Sequence, residues 1–97
     1  MEKQGYVYIL ALKPNGVLYI GVTSNLVKRI WEHKQGEAEG FTNKYNVKQL
    51  VYYEACDSIE SAIFREKRLK KWNRNWKVRL IEKQNQHWKD LYLDLLD

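Results

Sequence analysis

Two short runs of β-branched, aliphatic and tyrosine residues open the chain, Tyr6 to Ala11 (YVYILA) and Val17 to Val22 (VLYIGV). Between them stands Lys13-Pro14-Asn15-Gly16, where proline fixes φ and Asn-Gly accepts positive φ, so the pattern predicts a β-hairpin. Ser24 or Asn25 can then cap a helix running to about Gln35, with Leu26, Ile30 and the stem of Lys34 as its inner stripe and Gly36 ending it. Gly36 to Asn46 is polar and without period, which reads as a loop that orders on ligand. Leu50 to Glu54 (LVYYE) predicts a third strand. Asp57 followed by Glu60 has the spacing of a reciprocal cap and starts a helix extending to about Trp72. A further helix spans roughly Asn75 to Lys83. Trp88, Leu91, Tyr92 and Leu95 fall at i, i+3, i+4 and i+7, as on one side of a final helix. The order β, β, α, β, α, α implies a small, mainly antiparallel sheet covered by helices, an α+β fold.

Length and composition narrow the class. Ninety-seven residues, 44% of them hydrophobic, suit one domain, 1–97, with a single core, and exclude a disordered chain. The one cysteine, Cys56, excludes an intrachain disulfide and a cysteine-rich zinc site, as suits a reducing cytoplasm. Met1 to Tyr8 lacks the features of a secretory signal, and no stretch approaches the ~20 apolar residues of a membrane span. The expectation is therefore a soluble cytoplasmic protein.

Charge adds a direction. The net charge is +5 and the pI about 9.3. Arg65 to Arg79 reads REKRLKKWNRNWKVR, eight basic side chains and one acid with Trp72 and Trp76 interleaved. Cations that neutralise phosphates beside indoles that stack on bases suit nucleic acid; a solvated helix face with two core tryptophans gives the same string. The end of the chain, Asp90 to Asp97, reverses sign, with three aspartates among leucines.

Within the long helix Ile59, Ala62, Ile63, Leu69 and the stem of Lys70 share one face, and Glu66 lies at its centre. A carboxylate there must be paired, bind a cation or face a cleft. A metal ligand and a salt bridge to Lys70 or Arg29 are the alternatives. Arg29 and His33, four residues apart on the earlier helix, can address one anion or stand as an exposed basic pair. Tyr6, Tyr8 and Tyr19 line the hairpin, either as packing residues or as phenols that position water. Two histidines are too few for a histidine-rich metal site, and glycine-rich phosphate loops and a GxSxG elbow are absent from the sequence.

Taken in order, Tyr6-Val7-Tyr8, Tyr19-Ile20-Gly21, Arg29, His33 and Glu66 resemble the GIY-YIG nuclease domain over nearly the whole chain. The chain is especially similar to the small stand-alone bacterial members in GFTNKYNV, LVYYE and REKRLKKWNR. The resemblance implies a three-stranded antiparallel β-sheet flanked by helices. It also implies Tyr8 and Tyr19 as the motif tyrosines, Arg29 as the phosphate-facing arginine, His33 beside it, and Glu66 as ligand of one divalent cation, Mg²⁺ or Mn²⁺. Asn85, and after it Asn73, are the candidates for the family's late asparagine. The first motif departs from Gly-Ile-Tyr, with Gly5 one place early. Lys44 and Tyr45 in the loop, and Arg65 and Lys70 in the basic run, complete the candidate substrate contacts.

The resulting expectation is a metal-dependent endonuclease acting on structured or damaged DNA, with RNA as the other nucleic-acid substrate and a protein partner to supply specificity. The alternative is a non-catalytic nucleic-acid-binding module of the same fold. A protein-interaction domain anchored by Trp and Tyr draws only on aromatic content.

Overall fold

The computed structural model describes residues 4–37 and 40–96. Ala38 and Glu39 of the polar stretch, and Asp97 of the carboxyl-terminal aspartates, lie outside the described residues. Strands β1 (Gly5–Ala11), β2 (Leu18–Thr23) and β3 (Gln49–Cys56) form an antiparallel sheet in the order β2-β1-β3. Helices α1 (Leu26–Gln35), α2 (Phe41–Lys44), α3 (Ile59–Lys71), α4 (Arg74–Gln84) and α5 (Tyr92–Leu95) surround it. This is the expected α+β arrangement. Among the described residues no helix is long and apolar enough to cross a membrane.

The hairpin forms for the local reason its sequence gives: Gly16 N–H closes on Lys13 O at 2.9 Å, and Asn15 takes φ 60°. Arg74 at the start of α4 donates to the carbonyls of Asn15 and Gly16, both at 2.7 Å, and so fastens the turn to the helical layer. Of the two possible caps for α1, Asn25 is used, its side chain accepting Lys28 N–H at 3.2 Å. Gly36 ends α1 at φ 76°, a left-handed conformation that glycine adopts without strain.

As the middle strand, β1 alternates between two buried faces. Val7, Ile9 and Ala11 meet Ala62 and Leu69 of α3 and Ile81 of α4. Tyr8 and Leu10 point the other way, onto Leu26 and Ile30 of α1 and onto Val47, Leu50 and Leu91. The register steps between Ile9↔Tyr52 and Leu10↔Leu50, leaving Val51 as the extra residue of a bulge. The Val51 carbonyl accepts the Asn85 side-chain amide at 3.1 Å.

Four details differ from the sequence pattern. The cap of α3 is Ser58 rather than Asp57: Ser58 Oγ accepts Ser61 N–H and Ser61 Oγ accepts Ser58 N–H, each at 3.1 Å. The apolar face of α3 is narrower than the periodicity suggests, since Ile63 is 39% exposed and Lys70 is also exposed. The polar stretch after Gly36 contains a helical turn, α2, whose Thr42 O accepts Val47 N–H at 2.9 Å.

The last difference is the largest. Trp88 takes φ 59° and cannot belong to a right-handed helix, so the final helix shrinks to Tyr92–Leu95. Trp88 packs with Ile81 on one face of the sheet and Leu91 with Leu10 on the other. Between them the chain rounds the outer edge of β3, where Leu91 N–H donates to Leu50 O at 2.8 Å and Asp90 Oδ1 accepts Leu50 N–H at 3.1 Å. An edge strand is thereby covered. Lys34 completes the closure, donating to the Asp90 carboxylate and to Lys48 O, with its ammonium over the Tyr92 ring.

Candidate active site

Tyr8 stands directly opposite Gly21 in the β1–β2 ladder. Its ring lies where a side chain of β2 would be: a Cβ on Gly21 would sit 2.4 Å from both Cζ and Oη of Tyr8. Only a residue without a side chain leaves that place open. Tyr8 Oη meets His33 Nε2 at 2.9 Å, and His33 Nδ1 meets Thr42 Oγ1 at 3.0 Å. All three residues are sealed, at 1%, 2% and 2% exposure respectively. Tyr19, two positions before Gly21 on the same face, is half-buried and completes an aromatic cluster, its ring 6.4 Å from that of Tyr8 and 5.7 Å from that of His33.

Burial sets the protonation of this cluster. It pushes the Tyr8 phenol up to about 12, with Tyr19 and Glu66 adding smaller upward pushes and the Arg29 guanidinium pulling the other way. Burial, reinforced by the Arg29 charge, lowers His33 to about 4. At neutral pH both groups are uncharged. Tyr8 therefore remains a phenol. Arg29, facing the Tyr8 hydroxyl, is itself raised, first by that contact and also by Glu32, to which it is ion-paired at 3.2 Å. Its side chain is 35% exposed.

Glu66 comes from α3, which packs on β1 and β2 from the opposite side of the sheet, and its charge is nonetheless felt at Tyr8. Its side chain is 15% exposed and pairs with Lys70 at 3.2 Å, an i,i+4 contact to an ammonium that is itself 54% exposed. Such a pair is weakly held and can be exchanged. Among the described residues no group of three or more His, Cys, Asp or Glu side chains is placed to hold a metal. One recessed carboxylate fits a hard divalent cation that keeps waters and takes a substrate phosphate as ligand, and does not fit zinc.

A cleft of about 280 Å³ runs along the outer edge of β2, lined by Leu18, Tyr19, Ile20, Lys70 and Lys77. It joins Tyr19 to two ammonium groups of the basic run. A second cleft, about 320 Å³, lies on the helical layer between Trp72, Trp76, Arg79, Leu80 and Lys83, with Trp72 and Trp76 edge-on at 5.8 Å and Trp76 51% exposed.

Tyr8, Tyr19 and His33 thus meet in one aromatic cluster with the Arg29 guanidinium near Tyr8, while Glu66, paired with Lys70, stands on α3 across the sheet. The other expected substrate contacts have different surroundings. Arg65 is ion-paired to Glu54 at 3.0 Å and lies over the Trp72 ring. Asn73 caps α4, accepting Trp76 N–H at 2.9 Å. Asn85 is 6% exposed, and its amide is used up by Val51 O, Lys89 O and Lys89 N–H, so it ties the bulge to the last turn. Lys44 and Tyr45, two and three residues after Thr42, are exposed and form a cation–π pair. Thr42 and Lys77 also belong to the site's surroundings, marked in the sequence only as part of GFTNKYNV and of the basic run.

Residues 4–79 match the family model described as the GIY-YIG catalytic domain. The chain belongs to the GIY-YIG family. Curated relatives carry the name UPF0213 protein: that of Staphylococcus saprophyticus is 37% identical over 81 residues, covering 84% of this chain and 96% of the relative. That of Clostridium perfringens is 42% identical over 76 residues, covering 78% and 81%. The solution NMR structure of the UPF0213 protein of Bacillus halodurans has a TM-score of 0.55 at 29% identity, covering 90% of this chain and 92% of that one. The GIY-YIG family is a nuclease family, and this member carries its two motifs as Tyr6-Val7-Tyr8 and Tyr19-Ile20-Gly21. The structure gives the last glycine of the second GIY-YIG motif its reason, clearance for the tyrosine of the first.

Proposed function

We propose that residues 1–97 form one catalytic domain, a divalent-metal-dependent endonuclease that hydrolyses phosphodiester bonds in structured or damaged DNA during repair or processing in the cytoplasm. The observation that carries this reading is the cleft that joins the half-buried Tyr19, in ring contact with Tyr8 and His33, to Lys70 and Lys77, with Lys70 in turn paired to the recessed Glu66 carboxylate. Arg29 neutralises charge on the phosphoryl oxygens as the phosphorus becomes five-coordinate. Tyr19, the phenol on the cleft side, orients the attacking water, since Tyr8 is sealed and stays protonated. Glu66 would hold Mg²⁺ or Mn²⁺, whose contribution when bound is stabilisation of the phosphate and of the departing oxygen. Lys70 and Lys77 neutralise the neighbouring phosphate in the cleft, and substrate shape or a protein partner supplies specificity.

A second reading, a nucleic-acid-binding module that does not cut, is favoured by one observation, the pairing of Glu66 with Lys70. The two are separated by incubating wild type and Glu66→Ala with labelled single-stranded, duplex, nicked and branched DNA and the corresponding RNA, with Mg²⁺ or Mn²⁺. The nuclease reading expects cutting by wild type, loss of about 10³-fold or more in the variant, and binding unchanged or tighter. Salt-sensitive binding without cutting by either protein would establish the module.

A further inference from the structure

We propose that Thr42 is a positioning residue: its hydroxyl oxygen accepts the Nδ1–H of His33, which leaves His33 Nε2 to accept the Tyr8 hydroxyl and turns the Tyr8 oxygen lone pairs onto the Arg29 guanidinium. The direction of the chain follows from which of its members can accept. The Arg29 guanidinium near Tyr8 carries no acceptor, so the Tyr8 hydroxyl cannot donate to it. The Tyr8 hydroxyl still carries its proton, and at 1% exposure it has little solvent to give it to. His33 Nε2, 2.9 Å away, is the acceptor that remains. A neutral imidazole whose Nε2 accepts carries its proton on Nδ1, and Nδ1 faces Thr42 Oγ1 at 3.0 Å. The three groups thus donate in one sense, from Tyr8 to His33 to Thr42.

The segment that supplies the last acceptor is built to hold it. Thr42 is 2% exposed, its carbonyl accepts Val47 N–H at 2.9 Å, and Val47 is fully buried against the α1 side of the sheet. A threonine in a polar connection has no packing reason to be sealed against a histidine. With a valine there, Nδ1–H would lose its acceptor, the proton would favour Nε2, and Tyr8 would have to turn its own hydrogen toward the cation. The catalytic consequence rests on the nuclease reading above; the tautomer and the direction of the chain do not.

The test is nitrogen-resolved NMR of the His33 ring and of the Arg29 side-chain N–H groups in the full chain, for wild type, Thr42→Val and Thr42→Ser, beside cleavage of labelled branched DNA. Wild type and Thr42→Ser are expected to show Nδ1 protonated and Nε2 bare, with a slowly exchanging Arg29 N–H. Thr42→Val is expected to move the proton toward Nε2, to speed Arg29 exchange and to cut about 10-fold to 100-fold more slowly, with serine restoring the rate. A wild-type His33 protonated on Nε2 overturns the proposal even if the valine variant does not fold. So does a folded valine variant with an unchanged tautomer and unchanged Arg29 exchange. Tautomer and exchange behaving as expected without cleavage by any variant would support Thr42's role and remove the nuclease reading instead.

Discussion

On the side of the sheet covered by α3 and α4, β1 presents Val7, Ile9 and Ala11 to Ala62, Leu69 and Ile81, and these contacts are wholly apolar. On the side covered by α1, the same strand presents Tyr8, whose hydroxyl begins a chain through His33 to Thr42 in surroundings just as dry. The apolar face tolerates any side chains of suitable volume, whereas the polar face holds only while each donor has its acceptor. Among the described residues no buried side-chain polar atom lacks a partner, so the second condition is met. The contrast teaches where a change in β1 will be felt: as lost stability at Val7, Ile9 and Ala11, as lost chemistry at Tyr8.

The largest effect is expected on the polar side. Arg29→Ala should slow cleavage by about 10² to 10³ while circular dichroism stays that of wild type, and normal cleavage would take Arg29 out of the mechanism. The converse comes from the apolar side: Ile81→Ala, at a fully buried position of α4, should cost about 3 kcal/mol and lower Tm by more than 10 °C. Cleavage per folded molecule should be unchanged in that variant, and a parallel loss of rate would show the two faces to be coupled.

Acid should then distinguish the faces without mutation. His33, flanked by Arg29, Glu32, Tyr8 and Tyr19, is held neutral down to about 4, below its ordinary value near 6.5. As pH falls through that window the unfolded chain takes up the proton first, so stability declines between about pH 6.5 and 4, by up to about 3 kcal/mol, and levels off below. Denaturant titrations of wild type and His33→Gln should diverge in that interval and run parallel above it. The smallest effect is expected at the rim: Lys77→Ala should weaken DNA binding a few-fold and reduce the salt slope by about 1, leaving the rate at saturation alone.

Most of the sheet was legible because its signals are local: Pro14-Asn15-Gly16 for the turn, Asn25 and Gly36 for the ends of α1. The five central residues proposed for the site stand out in the sequence by their order and spacing along the family's motifs. What the sequence hid depends on contacts between distant segments. Thr42 lies in a stretch with no period, and its purpose exists only once His33 is beside it, nine residues away in the chain. Trp88, Leu91, Tyr92 and Leu95 keep helical spacing while the chain bends round β3, because a segment that serves two faces can imitate one that serves one. The deep placement of Asn85 follows from the bulge at Val51, which no single stretch of sequence announces.

The clearance at Gly21 reaches beyond this molecule. A phenol at position 8 or 19 can persist in a descendant for its packing alone, after the chemistry has lapsed, but a bare hydrogen at 21 is useful only while a ring is laid across it. When such chains are sorted from genomes, Gly21 and Tyr8 therefore read as a single marker, since alanine at position 21 would displace the ring from the place it holds here.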